Sequence, residues 1–380
     1  AIGGAIVAVA GAAGAFVTNA LSYIGLIIVL LRWHPVSKPA TFRRERIDIA
    51  IGAGLRYVAM SPRIRVVMLR GALFGAAAAA IPALLPLVVR DLMGGGAFSY
   101  GALFGAFGLG AVGGALSSAE LRARFSAEGI VRIGSAAMVV GALGTGLSTT
   151  MIISVPCLML AGAGWVLALS TFNVAVQMST PRWVVARALS LYQMATFGGM
   201  AAGAWGFGVL AEAHTITFAL LAAAALQAVG GLLGFLMPVP RVEDVDLDPL
   251  GRWQEPETAL EILPRSGPIV ITVEHRVADA KTEAFLDAMN ERRRIRLRDG
   301  ARRWTLLRDL QDPDLWIERY HVPTWADYVR NAQRPTQADA DNFERVRALH
   351  IDGAPAIVHR MIERPTATPS RAGSGPRDPL

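Results

Sequence analysis

The chain has 380 residues, 53% hydrophobic and 18% charged, with a formal net charge of +7. A mean hydropathy of +0.41 is too high for an ordinary soluble protein, and the charged fraction is too large for a chain buried wholly in lipid. Split at Pro238, the composition separates: residues 1–237 hold 15 Lys and Arg against 6 Asp and Glu, and residues 238–380 hold 22 against 24. The isoelectric point of about 10.1 therefore belongs to the apolar part, where basic residues set membrane orientation. These residues form no patch interleaved with aromatics, so no nucleic-acid partner is expected. The one cysteine, Cys157, excludes an intrachain disulfide.

The opening AIGGAIVAVAGAAG has no basic n-region and no clear cleavage site, which does not fit a signal peptide. It reads as the interior of a longer chain. A helix needs about 20 apolar residues to cross a bilayer core. Residues 1–31 are uncharged and interrupted by Gly11-Ala-Ala-Gly14, which predicts a helical stub to about residue 10 and a span from about 13 to 31. Uncharged stretches follow at 71–89, 92–119, 133–181 (two spans turning near LSTT), 188–211 and 213–237, giving seven spans and a stub. The motif GLGAVG at 108–113 matches G-x-G-x-x-G, but it lies inside an uncharged stretch. It lacks the strand and helix N-terminus that a pyrophosphate needs, so no cofactor is expected.

The loops alternate in charge. Loop 32–70 is strongly basic, loop 119–132 has Arg122, Arg124 and Arg132, and loop 178–187 has Arg182 and Arg187, while the loops between them have no Lys or Arg. The positive-inside rule then predicts a cytoplasmic location for the basic loops and for the C-terminal part of a multi-pass plasma (inner) membrane protein. No acidic residue is expected mid-span, since Asp91, Glu120 and Glu212 fall at span ends. The polar candidates for a substrate pathway are Asn19, Tyr23, Asn173, Gln177, Tyr192 and Gln193, each of which could instead bond across helices. Gly101/Gly105, Gly110/Gly114 and Gly199/Gly203 have the spacing that lets helices approach closely in lipid.

Residues 238–266, rich in Pro and acidic groups, read as a semi-flexible linker. Beyond it, IVITVEH at 269–275 reads as a strand and AKTEAFLDAMNERRR as a helix with Ala284, Phe285, Ala288 and Met289 on one face. Two strands are predicted within 303–322, with Trp304 and Leu306 alternating on the first and Trp316, Glu318, Tyr320 and Val322 on the second. Short helices and a closing strand AIVHRMI complete a β-α-β-β-α-β order over 267–365, which implies a ferredoxin-like α+β domain. The tail 366–380 reads as disordered. Trp304, Glu318, His321 and His359 are the chemically capable residues here, but no spacing is diagnostic of catalysis and no metal motif is present.

A long basic loop followed by six spans resembles the second half of a major facilitator transporter. The stretch 173–213 resembles the enterobactin-exporter-like branch of that superfamily through Asn173, Gln177, Pro181, Trp183, Arg187, Ala188, Tyr192, Gln193, Gly198, Gly199 and Gly203. AFVTNALSYI at 15–24 is similar to the family's sixth helix, with Asn19 at its polar position. WTLLRD, the run 312–339 and PAIVHRMI resemble an appended domain similar to antibiotic-biosynthesis monooxygenases, which act on polycyclic substrates in a cavity between sheet and helices.

The resemblance implies a polytopic helical bundle: the end of an N-terminal bundle at 1–31, a basic inter-bundle loop at 32–70 and a six-helix C-terminal bundle at 71–237. It implies a cytoplasmic turn with a gating role for Pro181, Trp183 and Arg187, and helix packing for Gly198, Gly199 and Gly203. Most of an N-terminal half, with any proton-carrying carboxylate, would lie outside this sequence. The function implied is proton-coupled efflux of small organic molecules such as siderophores or drugs, with the lipid bilayer, substrate and protons as partners and a homodimer through the C-terminal domain. Two alternatives stay open: a membrane-tethered enzyme whose last domain acts on an aromatic substrate, and a non-transporting dimerisation scaffold.

Overall fold

A computed structural model describes residues 2–33, 47–240, 246–248, 250–251, 253–353 and 355–364. Lys38, Arg43, Arg44 and Arg46 of the basic loop, linker residues 241–245 and the tail 366–380 lie outside the described residues. The chain divides into two compact units, Ala1–Asp244 and Val245–Leu380.

Among the described residues, the regular elements of the first unit are all helices. Helix α1 (Ile2–Arg32) runs without a break through Gly11-Ala-Ala-Gly14, where the sequence suggested a stub and a separate span. Glycine costs about 1 kcal/mol against alanine in a helix, but an apolar segment in lipid has only its own backbone to bond with, so the helix continues. The side chains from Phe16 to Trp33 are exposed. Helix α2 (Ile47–Met60) occupies part of the stretch expected as a loop.

The next span begins at Pro62, upstream of the expected 71, and carries Arg63, Arg65 and Arg70 in its first turns. It consists of α3 (Pro62–Ala78), α4 (Ala80–Leu87) and a π-helical turn (Val88–Leu92). Pro62 occupies the first turn, where no amide bond is lost, and Pro86 inside α4 removes one. Helices α5 (Ala97–Arg124), α6 (Ala127–Leu147), α7 (Met151–Met178), α8 (Val185–Ala213) and α9 (Ile216–Leu232) follow. Among the described residues, 6 helices are long and apolar enough to cross a membrane, and Phe16–Arg32 is a shorter apolar stretch.

Small residues set the helix spacing. A Cβ on Gly110 would stand 1.8 Å from the Met159 carbonyl oxygen, and one on Gly162 would stand 1.9 Å from that of Phe107. Helices α5 and α7 therefore touch backbone to backbone, the close approach by which membrane helices gain packing energy without a hydrophobic effect. Large side chains fill the remaining core, with Leu84, Leu103, Leu158, Phe172 and Leu220 fully buried.

The second unit is a four-stranded antiparallel sheet in the order β2-β3-β1-β4. Its elements are β1 (Ile269–Arg276), α10 (Thr282–Asp299), β2 (Arg302–Arg308), β3 (Leu315–Val322), α11 (Trp325–Ala332), α12 (Gln337–Ala348) and β4 (Ile357–Ile362). The period-2 alternation of β3 buries Trp316, Glu318, Tyr320 and Val322 on one face. Register pairs Val273 with Glu318, Ile271 with Tyr320 and Ile271 with Arg360 across the three neighbouring strands. Helix α10 covers this face with Phe285, Ala288, Met289, Arg292 and Ile295 buried, while Ala284 stays exposed.

The described part of 246–266, expected as a tether, is bonded to the second unit. Leu250 N–H donates to Pro335 O at 3.0 Å, Trp325 N–H to Ser266 O at 2.8 Å, and the amides of Gln337 and Ala338 to Asp248 O and Asp246 O. The Trp325 indole donates to Glu255 Oε1 at 3.0 Å.

Candidate functional site

The uncharged polar candidates of the first unit lie on three helices. Asn19 and Tyr23 stand exposed on α1. On α7, Ser170, Asn173 and Gln177 follow one another at helical spacing; the Gln177 amide donates to Asn173 Oδ1, and Arg122 of α5 donates to Ser170 Oγ at 3.1 Å. Asn173 is half-buried, and Gln177 and Gln193 are exposed. Tyr192 differs from them. It is buried at the contact of α8 with α3, its ring pressed on Gly71, and its hydroxyl lies 3.5 Å from Leu169 O.

The α8 glycines are not equivalent. A Cβ on Gly199 would stand 2.3 Å from Ala72 O and one on Gly203 2.1 Å from Ala76 O, whereas Gly198 has nothing within 4 Å. Gly199 and Gly203 share the face of Tyr192 and Thr196 that meets α3; Gly198 lies off it. At the start of α8, Pro181 O accepts from the amides of Val184 and Val185 at 3.0 and 3.1 Å, closing the turn. Trp183 packs edge-on against Tyr57 of α2 at 5.5 Å between ring centroids. The Arg187 stem lies against Gly54 of α2, where an added Cβ would come within 2.9 Å. The turn and α2 thus hold each other.

One feature of this unit has no counterpart in the sequence reading. Glu128, in the first turn of α6, and Arg70, in α3, are buried and joined by an ion pair with two hydrogen bonds. Arg132 donates to Glu128 Oε1 at 3.0 Å and to Gly234 O at 3.1 Å, and its guanidinium lies 3.8 Å over the Phe235 ring. Arg70 also donates to Met237 O at 3.2 Å, and Val239 N–H donates to Glu128 Oε2 at 2.9 Å. A single carboxylate therefore links the middle of α3, the start of α6 and the segment that follows α9. Glu128 stands at a helix end rather than mid-span, and its burial is tolerated because it is paired and hydrogen-bonded.

In the second unit, Trp304 and Glu318 come together, the indole donating to Glu318 Oε1 at 2.9 Å. His321 and His359 do not join them. The pleat sends His321 to the opposite sheet face, and His359 pairs there with Glu274 at 2.9 Å. The partners that the sequence reading missed are His275, His350, Arg292 and Arg296. Arg296 Nε donates to Glu318 Oε1 at 3.2 Å, a nitrogen of Arg292 lies 3.9 Å from Oε2, and His275 Nε2 lies 3.6 Å from the same oxygen. His275 Nδ1 meets His350 Nε2 at 2.9 Å.

Burial works to raise the Glu318 pKa, but Arg296, His275 and Arg292 hold it well below the usual carboxylate range. Burial lowers the His275 pKa, and it pushes Arg292 down to about 10 and Tyr320 up to about 12. A local signal for the two arginines existed: along α10, Arg292 and Arg296 continue the spacing of Phe285, Ala288 and Met289, so the apolar face ends in guanidinium groups.

Beside this cluster lies a cavity of about 630 Å³ whose walls include Trp253, Arg292, Arg296, Tyr320, Tyr328 and Arg360. Among the described residues, no group of three or more His, Cys, Asp and Glu could hold a metal ion.

Compared with known families, residues 1–367 match the model of a family described as transmembrane secretion effector, a span that covers the first unit and most of the second. The comparison with curated proteins found no match.

Proposed function

The chain belongs to the transmembrane secretion effector family, which makes it a transmembrane transporter of the major facilitator class rather than an enzyme, and from that premise we propose that it exports small organic molecules by alternating access. Siderophores and drugs are the substrate classes, and protons drive the export. Both follow from the resemblance to the enterobactin-exporter-like branch. The loop charges support a plasma-membrane bundle with the second unit in the cytoplasm. The β-α-β-β-α-β order of that unit supports a ferredoxin-like accessory domain, with a second copy of the chain as its partner.

The observation that carries this reading is the half-open polar ladder Ser170, Asn173 and Gln177 on the largely apolar α7. Polar side chains in a spanning helix face the bundle interior or a water-filled path rather than lipid. Uncharged amides suit passing cargo, because they offer donors and acceptors without holding a counter-ion. Glu128, clamped by two arginines, suits a structural tie better than a proton carrier.

Efflux of a catecholate iron chelator and of ethidium from whole cells tests the reading. Gln177→Ala and Gln193→Ala should each slow efflux by about three- to ten-fold, the worth of one or two lost hydrogen bonds, with unchanged protein in the membrane. A protonophore should stop efflux altogether. Unimpaired efflux by both variants would remove these residues from the pathway, and efflux that survives the protonophore would remove the proton.

A further inference from the structure

We propose that Arg122 selects cargo by charge, admitting small organic acids to the transport path and disfavouring cations. The inference rests on the export reading above and names the chemistry that the same path accepts.

The place of Arg122 follows from helix register. Gly110 of α5 meets Met159 of α7, and Gly114 meets Ala163, so the two helices lie side by side with a constant offset. That offset brings Arg122 level with Ser170, whose Oγ accepts from Arg122 Nη2 at 3.1 Å. Ser170 stands about 12 Å from Met178, the end of α7, at a rise of 1.5 Å per residue. Asn173 and Gln177 lie between them. Cargo that enters past the basic loop after α7 therefore meets two neutral amides first and the guanidinium last.

The charge on this residue is open. Arg124, also in the last turn of α5, is paired with Glu120 at 2.6 Å, and Arg132 gives its Nε–H to Glu128 at 3.0 Å. Among the described residues Arg122 has no acidic partner and makes one hydrogen bond, to a neutral hydroxyl, so four of its five N–H groups are left. The Ser170 hydroxyl donates in turn to Leu167 O at 3.2 Å, which turns its lone pairs to the guanidinium. Arg122 is exposed, and its planar fork can meet a carboxylate with two parallel bonds. The same charge repels a cation.

An apolar surface adjoins the charge. Towards the start of α7, Val166, Ala163 and Met159 continue the half-open stripe of Ser170 and Asn173 at helical spacing. On α5, Ala115 and Ser118 share the side of Arg122 and are small enough to leave room beside it. The guanidinium thus stands where polar side chains give way to apolar ones, which suits an acid with an apolar body.

The test is efflux of two dyes from whole cells at equal amounts of protein in the membrane: anionic carboxyfluorescein, loaded as its diacetate ester, and cationic ethidium. Wild type should export carboxyfluorescein faster than ethidium. Arg122→Gln should slow carboxyfluorescein about ten-fold, the loss of a charge-assisted pair, and leave ethidium unchanged or faster. Arg122→Lys keeps the charge without the fork and should retain about a third of the carboxyfluorescein rate. Arg124→Gln removes a nearby charge that Glu120 already holds, and should match wild type with both dyes. Equal slowing of both dyes by Arg122→Gln would make Arg122 a packing residue and overturn the proposal, as would carboxyfluorescein efflux unaltered in Arg122→Gln or equally slowed in Arg124→Gln. Export of ethidium without carboxyfluorescein by wild type would overturn the charge selection alone. Export of neither dye would remove the export reading together with it.

Discussion

Glu318 has no exposed surface, and its neighbours are Trp304, Arg296, Arg292 and His275. Its folded pKa lies below the ordinary value of 4.5. The folded form therefore binds fewer protons than the unfolded one, and the stabilisation present above about pH 4.5 is lost as pH falls. His275 acts in the same direction from a higher pH. Burial lowers its pKa from 6.5, so the unfolded imidazole takes up a proton first and stability declines as pH drops through that value. The melting temperature of the second unit should fall progressively from about pH 6.5 downward. In His275→Gln the curve should be flat between about pH 6.5 and 5 and fall only below, where Glu318 titrates. An unchanged slope in that upper window would assign the acid sensitivity to other groups. Alternation along β3 made Glu318 and its inward neighbours legible from sequence, and Trp304 with them. The same rule places His321 on the other face, so grouping it with Glu318 ignored a signal that was present. His350, 75 residues away from its partner His275, offered no local signal at all.

The helical elements of the first unit were readable because hydropathy accumulates residue by residue along a span. The details of their ends and contacts were not. Gly11-Ala-Ala-Gly14 looked like a break because glycine weakens helices in water, yet α1 passes through it. Gly198, Gly199 and Gly203 looked alike in sequence, and only the approach of α3 separates them. A side chain at Gly203 must displace the Ala76 backbone, which a packed interface resists; at Gly198 it meets open space. Gly203→Leu should therefore destabilise the first unit by about 1–3 kcal/mol through overpacking and reduce efflux, while Gly198→Ala should change stability by no more than about 0.5 kcal/mol. Thermal unfolding in detergent with a parallel efflux assay compares them. Similar losses from both substitutions would refute the close contact between α8 and α3.

At the scale of the whole molecule, the first unit is tied at one end by Glu128, Arg70 and Arg132. Residues 58 apart in sequence join Glu128 to Arg70, and the loop-charge pattern that gave orientation could not show that one of its acids is buried. Removing one partner of a buried ion network leaves uncompensated charge. Glu128→Ala should cost about 3–5 kcal/mol and speed amide hydrogen exchange around 62–71, 127–135 and 232–240 before other regions open. Exchange rising evenly over all spans would mean that the tie is not local.

The strap 246–266 has a different consequence, for how this protein can be dissected. Leu250, Gly251 and Trp253 form part of the cavity wall, and Glu255 anchors Trp325. A fragment cut by sequence alone at the first strand would expose the Tyr328 ring and leave the indole of Trp325 without its acceptor. Its behaviour would reflect the cut, not the domain. The smallest piece that keeps these contacts starts near Val245, where the chain itself changes units.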